Sequence, residues 1–360
     1  MQRSITENAF RDEIWDIMKG IGIFLMVLGH SGCPSFLRAF VYAFHMPLFF
    51  MISGLIIKQV YFDNKIIFFK KRVKSLYLPC VKWSVIFILL HDVFIILGII
   101  HPYYGYMGHG SGWYSFYDLF YKIVVVVLTM NNSEHLLGAF WFIKSLFVST
   151  VFFVMLYSRL RQWKYVWLLP LFVLLLNYTN LLVMNEKNMM FIEDRFIGHF
   201  ELFGLFFVSF GFVLKSYIPL IYDVRKMILS LVLLFLISFY APVSMGPNLK
   251  NVIILPFSAL FGFVLIYNLS CFVTNKLTIL RKLLKMMGEK SFYILLFHFL
   301  SFKLVSLLKV VLFDLDYGMI AEHPVVQFHN EYFWIMYTFI GVFGSLFLGK
   351  IVNYVPFLRR

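Results

Sequence analysis

Apolar runs of about 17–22 residues recur from one end of this chain to the other, separated by shorter polar segments. Each run is long enough to cross a hydrocarbon core about 30 Å thick. The pattern predicts ten spanning helices, near 14–34, 37–58, 78–100, 139–158, 164–183, 199–217, 226–243, 251–272, 290–312 and 332–354. A further apolar patch, Tyr121 to Met130, is too short to span and is expected to lie at an interface or re-enter. The expected fold class is an all-α integral membrane protein, a bundle of about ten transmembrane helices, because backbone in lipid must satisfy its own hydrogen bonds.

Charge placement orients the bundle. With the N-terminus taken as cytoplasmic, 22 of the 32 Lys and Arg fall in the cytoplasmic segments and 5 in the external loops. Basic residues favour the cytoplasmic side, so both termini are expected there, in a multi-pass protein of the cell (cytoplasmic or inner) membrane. A chain that is 61% hydrophobic and 14% charged is not an ordinary soluble domain. The net charge of +14 follows from the same loop asymmetry and points to anionic lipid rather than nucleic acid.

Cys33, Cys80 and Cys271 are scattered without ligand spacing, so neither a metal site nor a disulfide framework is expected. Ser31-Gly32-Cys33 superficially matches a lipoprotein cleavage box, but His30 precedes it and the leader carries acids, which argues against processing there. No linker or low-complexity tract interrupts the chain, so residues 1–360 read as a single transmembrane domain without a fused soluble one. The longest polar-leaning segment is the external loop 101–138, whose glycines and aromatic residues suit an interfacial belt or a sugar-stacking surface. A second external loop, 313–331, carries Asp314, Asp316, Glu322 and Glu331 and no Lys or Arg.

Ionisable groups inside a bilayer are costly, and each is therefore a functional candidate. Lys19 and His30 lie eleven residues apart in the first span, about three turns, which puts them on one helix face about 16 Å apart. Asp16 is expected to pair with Lys19 at i, i+3 rather than to act on His30. His45 enters the second span in Phe44-His45-Met46-Pro47, with Phe49-Phe50-Met51-Ile52-Ser53-Gly54 following. Since the turn between the first two spans is short, the two histidines could meet. The run Lys70-Lys71-Arg72-Val73-Lys74 offers phosphate ligands on the cytoplasmic face, or simply obeys the positive-inside rule. Gly288, Ser291 and His298 mark the ninth span, and Trp141 and Lys144 the start of the fourth. One buried histidine is readily satisfied by a neighbouring carbonyl or hydroxyl. Three, two of them on consecutive helices, argue for group-transfer chemistry in which a neutral imidazole removes a proton from a hydroxyl.

These residues resemble the acyltransferase family 3 membrane proteins, which O-acylate cell-surface glycans. That family carries a basic residue, usually Arg, before an essential His in its first helix, matched here by Lys19 and His30. Its Phe-Phe-x-x-Ser-Gly signature is matched by Phe49 to Gly54, and His45-Met46-Pro47 before it is similar to the sugar O-acetyltransferase branch. Lys71, Arg72 and Lys74 before Pro79 match the segment associated with acyl-CoA. Trp141-Phe142 and Gly288, Ser291 and His298 fit as well, and the resemblance spans nearly the whole chain. Lys in place of Arg at position 19 keeps the charge but loses bidentate phosphate geometry.

The resemblance implies a membrane O-acetyltransferase that moves an acetyl group from cytoplasmic acetyl-CoA to a hydroxyl of a cell-surface glycan or lipid-linked sugar. His30 would be general base or transient acyl carrier, and His45 would orient it or the acceptor. Lys19, Lys71, Arg72 and Lys74 would hold the donor, with Ser53, Trp141, Lys144, Ser291 and His298 in support. Acetyl-CoA is then a co-substrate, and no bound cofactor or metal is expected. Two other readings compete: a proton-coupled transporter or flippase using the same histidines as relays, and a non-catalytic component of a glycan-assembly complex whose polar residues only join helices.

Overall fold

The computed structural model describes residues 2–106, 108–187, 198–217 and 221–356, with no strand among them. In chain order the helices are α1 (Gln2–His30), α2 (Ser35–Tyr42), α3 (His45–Leu55), α4 (Val60–Asp63), α5 (Lys65–Arg72), α6 (Leu78–Leu89), α7 (His91–Ile96) and α8 (Phe116–Thr129). They continue as α9 (Trp141–Leu160), α10 (Leu169–Lys187), α11 (His199–Tyr217), α12 (Val224–Tyr240), α13 (Leu249–Lys276), α14 (Thr278–Glu289), α15 (Ser291–Leu312) and α16 (Phe333–Tyr354). The protein is an all-α membrane protein.

Seven helical stretches among the described residues are long and apolar enough to cross a membrane: Ser35–Leu55, His135–Leu160, Val166–Val183, His199–Ser216, Leu249–Lys276, Ser291–Leu312 and Phe333–Tyr354. The other three expected spans are helical but depart from that pattern for local reasons. The middle of α1 carries Glu13, Asp16 and Lys19, the 78–100 segment breaks at Leu90 into α6 and α7, and α12 is 17 residues long. The apolar patch at 121–130 belongs to the 14-residue α8, started by a Ser115–Asp118 capping box. The extreme termini, on which the sidedness expectation bears, lie outside the described residues at Met1 and 357–360.

The chain forms two compact units. The first comprises residues 1–22, 39–76 and 144–289. Its centre is α3 against α11, where a methyl added at Gly54 would strike the Val208 carbonyl and one at Gly211 the Met51 carbonyl. Small residues let helix backbones approach closely where lipid offers no hydrophobic drive to associate. Pro47 explains the break before α3: it has no N–H to offer Ala43 and its ring crowds that carbonyl. The freed Ala43 carbonyl accepts from Ser258 Oγ (2.8 Å), and at the same break the Val41 carbonyl accepts from His45 Nδ1 (2.8 Å) as well as from the Phe44 amide (3.3 Å).

The same unit joins α1 to α14. Gly20 meets the Leu284 carbonyl and Gly288 the Asp16 carbonyl. Arg281 forks onto Glu13 through Nε (2.8 Å) and Nη2 (2.6 Å). That hydrogen-bonded fork holds the Glu13 carboxyl below the usual carboxylate range.

The second unit comprises residues 23–38, 77–143 and 290–360. Its centre is α15 against α16. Gly341, Ser345 and Gly349 recur every four residues on α16 and receive Phe302, Ser301 and Tyr293 respectively. Two lysines deep in α15 fasten the 313–331 loop: Lys303 donates to the carbonyls of Ile320 (3.0 Å) and Glu322 (2.7 Å), and Lys309 to that of Val326 (2.7 Å). The loop 101–138 is held by a triad in which the buried Glu134 accepts from the buried His91 Nδ1 (3.0 Å) and from Tyr114 Oη (2.7 Å). Burial, reinforced by the Glu134 carboxylate, raises the Tyr114 phenol above its ordinary range.

Candidate active site

The four candidate donor-binding cations belong to the first unit, and three of them have a local partner. Lys19 pairs with Asp16 at 2.5 Å, both partly exposed, as their i, i+3 spacing predicts. Lys71 donates to Tyr61 Oη (2.9 Å) and sits over that ring. The Arg72 guanidinium lies over Phe68, 4.9 Å from the ring centroid, with its Nε buried and without a hydrogen-bond partner. Burial lowers Arg72 to about 10, so it remains a cation at neutral pH. Lys74 is exposed on the π-turn Val73–Tyr77. That turn has a sequence cause: Pro79 cannot donate to the carbonyl of Ser75, so the hydrogen-bond ladder widens just after the basic run. An unmet Nε on a cation beside exposed lysines is an arrangement that accepts an anionic group from solution.

His45 and Ser53 lie in the same unit on α3. His45 is 4% exposed. Its bond to the Val41 carbonyl makes Nδ1 the donor, so the neutral ring carries its lone pair on Nε2. Ser53 is half-buried beside Gly54. Lys144 is buried and faces Glu201 (3.8 Å), whose carboxylate also accepts from Ser145 Oγ (2.8 Å) and from the Gly198 amide (2.7 Å).

The second unit gathers imidazoles. His30, the last residue of α1, lies beside His298 of α15, with ring centroids 5.6 Å apart. His298 is fully buried. Its Nδ1 bonds the Leu295 carbonyl (3.0 Å), while Nε2 is buried and without a hydrogen-bond partner. Aromatic rings flank the pair: Phe299 lies edge-on to His30 at 5.1 Å and tilted against His298 at 3.9 Å, and Phe302 meets His298 edge-on at 5.7 Å. Trp141 is half-buried and edge-on to Phe142, and Ser291 stands half-buried at the first position of α15.

Three further groups extend this cluster, none singled out by sequence reasoning. His323 lies 4.4 Å from Phe299, and His135 lies 6.0 Å from His323. Both histidines, with Lys303, Tyr104 and Ser111, line a cavity of about 10 Å³, room for about one water. His323 Nδ1 is buried without a hydrogen-bond partner, and burial, with Lys303 and His135 nearby, lowers its imidazole to about 2. It is therefore neutral at physiological pH. Lys303 had a readable signal: an ionisable residue inside an apolar span. His323 and His135 had none, because loops bring them in.

The arrangement can accept a proton at a buried imidazole lacking any other partner, and it can receive an anion at the cations of the first unit. Among the described residues no cluster of His, Cys, Asp and Glu fits a metal ion, and Cys33, Cys80 and Cys271 are each buried as free thiols. No curated protein and no solved structure resembles the chain closely enough to count as a match. The family model of the acyltransferase 3 proteins, an acyltransferase domain, matches residues 12–354. The chain thus belongs to the acyltransferase 3 family and is a multi-pass membrane acyltransferase.

Proposed function

We propose that the protein is an O-acetyltransferase that takes acetyl from cytoplasmic acetyl-CoA and delivers it to a hydroxyl of a cell-surface glycan or lipid-linked sugar, in the cytoplasmic membrane with both termini inside. The observation that carries this reading is the His30–His298 pair, in which His298 Nε2 is buried, lone-pair-bearing and unmet. The family match supplies the acyl chemistry, and the loop charge asymmetry supplies the sidedness.

In the proposed reaction His30 takes the proton from the acceptor hydroxyl as its oxygen attacks the thioester carbonyl. The carbon–sulfur bond then breaks, and the proton passes to the departing CoA thiolate, so an ester and free CoA are formed with no net proton change. His298 sets the orientation of His30 and shares its positive charge at the transition state. His45, with its lone pair on Nε2, orients the acceptor hydroxyl. Arg72, Lys71 and Lys74 hold the CoA phosphates with Lys19, and the ring of Trp141 and the Lys144–Glu201 pair support the helices that carry these groups.

The test is CoA release and acetyl transfer by purified protein, wild type against His30→Ala, with folding followed by thermal shift. Loss of a general base lowers the rate about 10²–10⁴-fold. An equally active, well-folded variant in the presence of a competent acceptor would remove His30 from the mechanism and favour the transporter reading.

A further inference from the structure

The mechanism leaves one large feature of the second unit unused. A groove of about 650 Å³ runs along α15 and α16, within the size range of about 300–1,000 Å³ typical of small-molecule sites. Its walls are apolar, with Leu304, Leu307 and Phe347 standing 62%, 41% and 64% exposed at its lips. These lips are on two spanning helices, so the groove opens where lipid chains lie. Gly344 leaves room in its wall.

At one point the lining is a cation. Lys303 is 5% exposed, and it lines both this groove and the small polar cavity that holds His135 and His323. Two of its three N–H donors go to the Ile320 and Glu322 carbonyls. Among the described residues no carboxylate lies within ion-pairing distance of it. An ammonium with a donor to spare, set between an apolar trough and a polar cavity, complements an anion attached to a long apolar chain. A free glycan would leave the trough empty, and an uncharged lipid would leave the cation unmet.

We infer that the acceptor is presented on a lipid carrier, its chain in the groove along α15 and α16, its phosphate at Lys303, and its sugar on the His135–His323 side. This rests on the acetyl-transfer reading for the reaction but not for the binding. It names Lys303 as a binding residue and makes loop 313–331, which Lys303 fastens, part of the acceptor site.

The experiment uses the full chain in phosphatidylcholine nanodiscs. Polyprenyl phosphate is the probe, compared with polyprenol, phosphatidylglycerol and inorganic phosphate by native mass spectrometry and thermal shift. Wild type should bind polyprenyl phosphate about tenfold more tightly than polyprenol or phosphatidylglycerol. Leu304→Trp with Leu307→Trp, which fills the groove from its exposed lips, should weaken that binding about tenfold. Lys303→Gln should erase the preference for phosphate over alcohol. Phe257→Trp, an exposed apolar position on α13, should change nothing.

Should Lys303→Gln fail to fold because it also anchors the loop, the groove-filling pair still decides. Equal binding of phosphatidylglycerol, or no effect of the filled groove, would mean an annular lipid surface and overturn the inference. Acetyl-CoA turnover is read separately. Wild type that binds polyprenyl phosphate selectively yet never releases CoA with any acceptor would sink the acetyl-transfer reading and leave the groove standing.

Discussion

The cations of the first unit and the imidazoles of the second are polar groups in an apolar protein, satisfied in opposite ways. Lys19 and Lys71 each have one side-chain partner nearby and stay partly or fully exposed. His298 and Lys303 are buried, and the partners they have are backbone carbonyls. A surface ion pair is worth little because water competes for it. A buried donor or acceptor left unmet costs about 1–3 kcal/mol, so such groups persist where structure or function demands them. Changes in the cation region should therefore give graded effects on donor binding, and changes in the histidine cluster should act on turnover.

The widest separation between the two regions is expected from His298→Phe, which keeps a ring beside His30 but removes the buried, unmet Nε2. It should lower kcat about 10²-fold with the KM for acetyl-CoA unchanged. Unchanged kcat would reduce the pair to packing. Next, Arg72→Ala should raise the KM for acetyl-CoA about tenfold with kcat retained, as expected for lost ground-state binding of a phosphate. Lys19→Ala should do less, since Asp16 already neutralises that ammonium. An equal fall in kcat for Arg72→Ala would place it in the chemical step instead.

Acid stability sharpens the comparison further. His323 is lowered by burial to about 2, whereas the unfolded imidazole titrates at about 6.5. The unfolded chain therefore binds a proton that the folded one refuses, and stability should decline progressively as the pH falls below about 6.5. His323→Gln should flatten that decline in thermal-shift measurements between pH 7 and pH 5, and an identical profile for variant and wild type would show that His323 is not the group responsible. The smallest effect is expected at the α1–α14 clamp. Arg281→Ala should cost about 1–2 kcal/mol of stability, the fork being partly exposed, with activity retained once folded. The Glu13 contribution, held by a lowered carboxyl, is present at neutral pH. It should be lost only as the pH falls below about 4.5 and through the depressed value.

Much of this was readable in advance. Apolar run length alone gives an all-helical membrane protein, because backbone in lipid leaves few alternatives. The Asp16–Lys19 pair follows from i, i+3 spacing, whereas the break before α3 interrupts what the sequence reads as one span over 37–58, although Pro47 accounts for it. His30 and His298 stood out as ionisable residues in apolar runs, but their adjacency did not, since the sequence most readily pairs His30 with His45 across a short turn. Lys303 carried the same signal as the histidines. Its role was hidden because its partners are carbonyls, which every residue possesses.

The sequence by itself determined the elements, the chemistry available and the family, since run length, proline position and side-chain type act locally. Only the tertiary structure decided which imidazoles share one cluster, which nitrogen of His298 bears the lone pair, and that Lys303 lines an apolar groove and a polar cavity at once. Those outcomes depend on contacts between residues far apart in the chain, set by glycine-allowed helix crossings and by loops fastened to buried lysines, and no local pattern encodes them.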